Sequence, residues 1–75
     1  MQLKLTLMGA LKAKTPAENP CEYAEGASID DVLIALDIAA GQVQIVMVNG
    51  KPQPDRTVAL ADGDELTFVA PVGRG

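Results

Sequence analysis

The sequence predicts an α+β domain in which one helix packs on one face of a sheet of four to five strands. Residues 29–40 have the apolar spacing of a helix, and strand-like segments lie on both sides of it. A single helix of about ten residues is too short to cover both faces of such a sheet, so we expect the second face to be exposed. The chain of 75 residues is sufficient for one small domain.

The first part of the chain has the pattern of a strand with one buried face. Three leucines alternate with polar residues over residues 3–7, and residues 8–10 end the strand. Residues 12–20 contain two prolines and predict a loop. Residues 21–25 alternate again and predict a short second strand. On that strand we expect Cys21 to be a small residue of the core or its rim rather than a reactive thiol.

The helix has the clearest local signals. Ser28 is a favourable N-cap, and Asp31 follows at the position of a capping box. The predicted apolar stripe consists of Ile29, Val32, Leu33, Leu36 and Ala40, widened by Ile34 and Ile38. Gly41 is expected to end the helix as a left-handed cap. The acidic pair Asp30 and Asp31 is explained by the positive end of the helix dipole better than by a catalytic or metal site.

The second half predicts three further strand segments. Residues 43–48 are β-branched and apolar on both faces, which indicates a central strand, and residues 49–50 form a tight turn. Residues 51–56 contain two prolines and are restricted to an edge or a loop. The last strand, residues 65–70, places Leu66, Phe68 and Ala70 on one face and Thr67 and Val69 on the other.

Composition narrows the possible functions. One cysteine and no histidine leave no basis for an intrachain disulfide, an iron–sulfur cluster, a zinc site or an activated nucleophile, so we expect neither a bound metal nor an enzyme acting alone. A net charge of −4 and only two aromatic residues disfavour nucleic-acid binding. The start of the chain has neither a signal peptide nor a membrane span, so a cytoplasmic protein is expected.

The end of the chain has little side-chain bulk. Residues 1–70 are expected to form the domain, and residues 71–75, Pro-Val-Gly-Arg-Gly, are expected to form a flexible tail. A thin tail that ends in the carboxylate of Gly75 can enter a narrow site of another protein. A frayed terminus would have the same pattern.

Several segments together resemble the ubiquitin-like sulfur carriers, the family of ThiS and MoaD. They are the turn Val48-Asn49-Gly50-Lys51, the segment Leu60 to Leu66 and the ending Pro-Val-Gly-x-Gly. The resemblance covers the whole chain, and the first loop is closer in length to MoaD-like members. It implies the β-grasp fold, a mixed sheet around one helix with the first and last strands parallel and adjacent in the middle.

The resemblance also implies a function. In these carriers an E1-like adenylyltransferase uses ATP to activate the C-terminal glycine, which becomes a thiocarboxylate. A cofactor synthase subunit then takes the sulfur for molybdopterin-type or thiamine-type biosynthesis. By position, Gly75 would be the modified residue, and Gly73 and Arg74 would line the partner's channel. The chain itself would be a carrier with no bound cofactor.

One position departs from the family pattern. Arg74 stands where these carriers normally have glycine. It adds a long charged side chain, and it restricts the backbone angles that glycine would allow at this position. Two alternatives to a carrier therefore remain. The chain could be a ubiquitin-like docking subunit that transfers nothing, or a protein modifier whose Gly75 is joined to a lysine.

A docking surface follows from strand alternation. If Val46 and Val48 face the helix, then Ile45, Met47 and Val69 lie on the outer face of the sheet. We expect these three residues to contact a partner, because they form an apolar patch beside the tail. Ordinary exposed aliphatic residues would give the same pattern.

Overall fold

A computed structural model describes residues 1–71 of the chain. Its strands are β1 (Gln2–Met8), β2 (Cys21–Glu22), β3 (Ile45–Val48), β4 (Lys51–Pro52) and β5 (Glu65–Val69), and its α-helix is α1 (Ile29–Ala35). Two short 3-10 helices, Gly9–Lys14 and Ala40–Gln42, follow β1 and precede β3. This order of elements confirms the predicted α+β class.

The strands form one mixed sheet in the order β2-β1-β5-β3-β4. The first and last strands, β1 and β5, are parallel neighbours in the middle, and every other pair is antiparallel. This central parallel pair is the arrangement that the resemblance implies. Because parallel strands end at the same edge of a sheet, β1 and β5 bring Met8 and Val69 together there.

The core lies between α1 and the inner face of the sheet. Alternation in β1 is regular, since Leu3, Leu5 and Leu7 are each at most 4% exposed and the residues between them are exposed. The helix contributes Ile29 and Val32, which are fully buried. The other core residues are Met1, Leu11, Leu33, Ile38, Val43, Val46, Leu60, Leu66, Phe68 and Ala70. Burial of these aliphatic side chains provides most of the driving force for folding.

The helix is shorter than predicted. It ends at Ala35, and Asp37 rather than Gly41 adopts the left-handed conformation, with φ of 59°. The N–H of Ile38 donates to the carbonyl of Leu33 at 2.9 Å. This bond gives a partner to a carbonyl of the last helical turn, where the chain turns toward the core. The prediction that Ile34 widens the buried stripe is also wrong, because this side chain is 75% exposed.

Two other predictions need correction. Residues 9–14 of the predicted strand end and loop form a 3-10 helix, because Leu11 turns into the core and is only 3% exposed. The strand predicted at residues 43–48 is observed as β3 and is paired on both sides, as expected of a central strand, but its outer face is not covered, since Ile45 is 44% exposed. Cys21 lies at the rim of the core, as predicted, and its thiol donates to the carbonyl of Glu18.

Candidate docking face and tail root

The sheet face opposite the helix, called here the outer face, is formed by alternate residues of β1, β3 and β5. The residues between them on the same strands, such as Leu7, Val46 and Phe68, point into the core. The outer face therefore follows directly from the two-residue period of the strands.

An apolar row crosses the outer face where β5 ends. Met8 of β1 pairs with Val69 of β5, and Val69 pairs with Ile45 of β3. Met8 is 49% exposed and Ile45 is 44% exposed, while Val69 between them is half-buried. Three neighbouring aliphatic side chains on solvent-facing strands form a surface suited to contact with another protein.

The outer face becomes more polar away from this row. The next row contains Thr6, Thr67, Met47 and Pro52, joined by the strand registers. Beyond it lie Lys4 and Glu65, whose ammonium and carboxylate groups are 3.6 Å apart. Both side chains are well exposed, so this ion pair adds little to stability. The face thus has an apolar end where β5 ends and a charged end where β5 begins.

The chain leaves the sheet at the apolar end. The N–H of Gln44 donates to the carbonyl of Val69 at 2.8 Å and holds the last residue of β5. Ala70 follows and is 9% exposed, and Pro71 is the first exposed residue after it. The tail root, defined here as Ala70 and Pro71, therefore lies directly beside the apolar row.

The structure brings the three predicted docking residues together. Ile45, Met47 and Val69 share the outer face, as expected, although their role in docking stays a prediction. Gly73, Arg74 and Gly75 lie outside the described residues. Sequence reasoning missed Met8, which was assigned only to the end of the first strand. The alternation of the preceding leucines would have placed it on the outer face.

A groove lies beside the outer face, at the β3–β4 end of the sheet. It encloses about 370 Å³ and is lined by Gln44, Ile45, Val46, Pro52, Gln53, Pro54 and Arg56. The guanidinium of Arg56 donates to the carbonyl of Val43 at 2.7 Å and to that of Ala40 at 2.9 Å. Arg56 therefore fixes the segment that leads into β3, a role that sequence reasoning did not anticipate.

Burial shifts the pKa values of Cys21 and Tyr23. Burial, with a contribution from Glu18, raises the pKa of the Cys21 thiol, so this residue is a poor nucleophile at neutral pH. Burial, with a smaller effect of Cys21, also raises the pKa of Tyr23.

Within residues 1–71 there is no group of three or more potential metal ligands. Over the same residues, no helix is long and apolar enough to span a membrane.

The family comparison covers nearly all of the chain, since residues 5–75 match the model of the ThiS family. The chain belongs to the ThiS family. This membership supports a role of the sulfur-carrier type and agrees with the resemblance seen in the sequence. The match extends through the tail to Gly75 and includes the tail root and every residue of the apolar row.

A solved structure supports the fold of this ThiS-family protein. It is a chain of the complex of subunits 1 and 2 of the molybdopterin-converting factor from Helicobacter pylori. The two chains are 21% identical, each is covered over 100% of its length, and the TM-score is 0.65. The shared mixed sheet and single helix are those of the β-grasp fold. A comparison with curated proteins gives no match.

Proposed function

We propose that this protein is a sulfur carrier whose C-terminal residue, Gly75, is adenylated and then thiocarboxylated by an E1-like enzyme. A cofactor synthase subunit then takes the sulfur from the thiocarboxylate. The observation that carries this proposal is the match to the ThiS family, which runs to Gly75. ATP is consumed by the activating enzyme, and the carrier is the substrate of both partners.

The chemistry explains why the working group is a terminal carboxylate. A carboxylate resists nucleophilic attack because it is negatively charged and has no good leaving group. When one of its oxygens attacks the α-phosphate of ATP, pyrophosphate leaves and an acyl-adenylate forms. A sulfur nucleophile at the oxidation level of hydrosulfide then attacks the carbonyl carbon and displaces AMP. The net change is the replacement of one carboxylate oxygen by sulfur.

The outer face supplies a docking surface for such partners. Met8, Val69 and Ile45 form an apolar row beside the tail root, so a partner seated there has the tail within reach of its active site. The related solved structure is a complex of two subunits of the molybdopterin-converting factor. This supports a synthase subunit as one partner, and the same face serves an E1-like enzyme. Thiamine-type and molybdopterin-type pathways both remain compatible with these features.

The deciding experiment is intact-protein mass spectrometry. The full chain is incubated with ATP, an E1-like enzyme from the same source and a sulfur donor. We expect a mass increase that corresponds to replacement of one oxygen by sulfur, and fragmentation should locate it at Gly75. A chain that lacks Gly75 is the matched control and should stay unmodified. A carboxylate that stays unmodified, with an enzyme shown to be active on another carrier, would overturn the proposal.

Arg74 favours a second candidate, a docking subunit that transfers no sulfur. The residue replaces the penultimate glycine of the sulfur carriers and adds a long cation to the tail. Deletion of Gly75 separates the two candidates. It should abolish sulfur transfer by a carrier but should leave the partner affinity of a docking subunit unchanged, because the apolar row is intact. Isothermal titration calorimetry with the synthase partner provides this comparison.

A further inference from the structure

The turn after β1 closes against the tail root. Since β1 and β5 are parallel and their last pair is Met8 with Val69, the next residues of the two strands, Gly9 and Ala70, are also neighbours. A Cβ atom at Gly9 would lie 3.4 Å from the Cβ atom of Ala70, an ordinary van der Waals contact. Gly9 has φ of +67°, which other residues rarely adopt. The backbone conformation therefore favours glycine here, and Ala70 is the residue that a larger side chain would approach.

Gly9 lets the chain turn across the end of β5. It begins the 3-10 helix Gly9–Lys14, which contacts β5, and Leu11 of this helix is buried in the core. Ala70 comes after the last residue of β5 but is only 9% exposed. Ala70 continues the inward alternation of Leu66 and Phe68, and the Cβ position of Gly9, the first residue of the 3-10 helix, lies beside it.

The other end of the 3-10 helix also makes hydrogen bonds. The ammonium group of Lys14 donates to the carbonyl of Asp37 at 2.9 Å, just beyond the end of α1. The N–H of Thr15 donates to the carbonyl of Lys12 and closes the last turn. The 3-10 helix is thus attached to the core through Leu11 and to the end of α1 through Lys14. Its first residue, Gly9, lies beside Ala70 of the tail root.

A fixed tail root matters because Gly75, the residue proposed to be modified, lies five residues after Ala70. Even in a fully extended chain the two residues are no more than about 17 Å apart. The position of a carboxylate on so short a tether depends on where the tether starts. A reacting group displaced by about 1 Å can lose on the order of a hundredfold in rate.

We propose that Gly9 is a positioning residue for the C-terminal carboxylate, an inference that rests on the proposed sulfur-carrier function. Its left-handed conformation lets the 3-10 helix turn across the end of β5 beside Ala70 and fix the point from which the tail enters the partner's active site. Docking through the apolar row does not require this contact. Disturbing Gly9 should therefore lower the rate of tail activation more than the affinity for the partner.

The test compares valine substitutions at two glycines. Gly9→Val adds methyl groups against Ala70 and places a β-branched residue in the left-handed conformation. Gly26→Val is the matched control, because Gly26 has φ of +82° but no atom within 4 Å of an added Cβ. Ala70→Gly in the Gly9→Val chain removes the methyl group at the contact. If Gly9→Val fails to fold, Ala70→Val adds bulk to the same contact without changing the backbone at Gly9.

Two readouts are needed for each chain. The first is the order parameter of the Ala70 amide in the free protein, from ¹⁵N relaxation, and the second is ATP–pyrophosphate exchange catalysed by the E1-like enzyme. For Gly9→Val we expect a mobile Ala70 amide and a kcat roughly tenfold lower, with KM within about twofold of the original. Gly26→Val should lose a similar amount of thermal stability but keep the Ala70 order parameter and the kcat of the original chain. Ala70→Gly should recover part of the lost kcat.

The inference is overturned if Gly9→Val keeps an ordered Ala70 and an unchanged kcat, or if Gly26→Val lowers kcat equally. A rise in KM with unchanged kcat would also overturn it, because that result assigns Gly9 to docking. If the unsubstituted chain is never adenylated, the sulfur-carrier proposal fails and the role of Gly9 in activation fails with it. The Ala70 order parameter would then still decide whether Gly9 fixes the tail root.

Discussion

Ile45 and Val69 lie opposite each other in the antiparallel strands β3 and β5, on the sheet face that the helix leaves uncovered. Val69 also pairs with Met8 on its other side, so the contact belongs to a continuous apolar row. Only Ala70 separates Val69 from Pro71, where the chain becomes exposed. A partner that covers this row therefore lies next to Pro71, and under the proposed function it would recognise the row and the residues that follow Pro71 together.

Replacing Ile45 should weaken partner binding. Ile45→Ser removes an aliphatic side chain that is 44% exposed and would become buried in the complex. We expect the Kd for the E1-like enzyme or the synthase subunit to rise roughly tenfold, since a central apolar contact contributes about 1 to 2 kcal/mol. Isothermal titration calorimetry measures this change.

Ile34→Ser is the matched control for Ile45→Ser. Ile34 is 75% exposed but lies on α1, away from the outer face. Its substitution should leave the Kd unchanged. If both variants weaken binding equally, the partner contacts the helix as well, and the outer face alone is not the docking surface.

Replacing Arg56 should destabilise the fold. Arg56→Met keeps the aliphatic part of the side chain but loses both hydrogen bonds to the carbonyls of Ala40 and Val43. We expect the free energy of unfolding to fall by about 1.5 to 3 kcal/mol, the range for hydrogen bonds made by a charged group. Urea denaturation measures the change. Lys51→Met, at an exposed edge position, should change it far less, and equal losses in both variants would contradict the role given to Arg56.

The carboxylate of Asp55 should make stability depend on acid pH. Hydrogen bonds from the hydroxyl and the N–H of Thr57 lower the pKa of Asp55. A lowered pKa in the folded state adds stability above the ordinary pKa, and this stability is lost as the pH falls through the folded value. Asp55→Asn should therefore be less stable at pH 7, and the difference should shrink below about pH 4.

Thr57→Val serves as the control for this pH dependence. It removes the hydroxyl group, which is 2.6 Å from the Asp55 carboxylate, but keeps the N–H donor. Urea unfolding between neutral and acidic pH should show a smaller acid-dependent loss for Thr57→Val than for the original chain. An identical loss in the two chains would show that the Thr57 hydroxyl does not stabilise the ionised carboxylate.

Arg74→Gly should change the rate of tail activation. With an E1-like enzyme that normally acts on a carrier ending in two glycines, we expect ATP–pyrophosphate exchange to become faster, because the long cation is removed from a narrow channel. A slower rate would show that Arg74 is recognised by the enzyme. An unchanged rate would count against both roles, and Gly75 deletion provides the inactive control.

Local patterns in the sequence were enough to predict most of the elements. The alternating leucines of β1 placed its buried face correctly, because a strand that covers a core has a period of two residues. The capping box was also predicted. The N–H of Asp31 donates to the Ser28 hydroxyl, and the Asp31 carboxylate accepts from the Ser28 N–H. These contacts join residues three positions apart, so the local sequence determines them.

The outer face could be predicted in part. Ile45, Met47 and Val69 were assigned to one side because alternation within each strand fixes the side of every residue. Their arrangement in rows, and the inclusion of Met8, required the register between β1, β5 and β3. Register depends on pairing between segments far apart in the chain, and the pattern of one strand does not specify it.

The sequence by itself determined the α+β class, the start of the helix and the alternation of the strands. Only the tertiary structure decided where α1 stops, what Arg56 binds and that Gly9 closes on Ala70. The helix ends at Ala35, Asp37 takes the left-handed conformation, and Ile38 after it is buried in the core. Arg56 and Gly9 depend on partners 13 and more residues away. Such contacts arise only when distant segments pack together, and no local pattern encodes them.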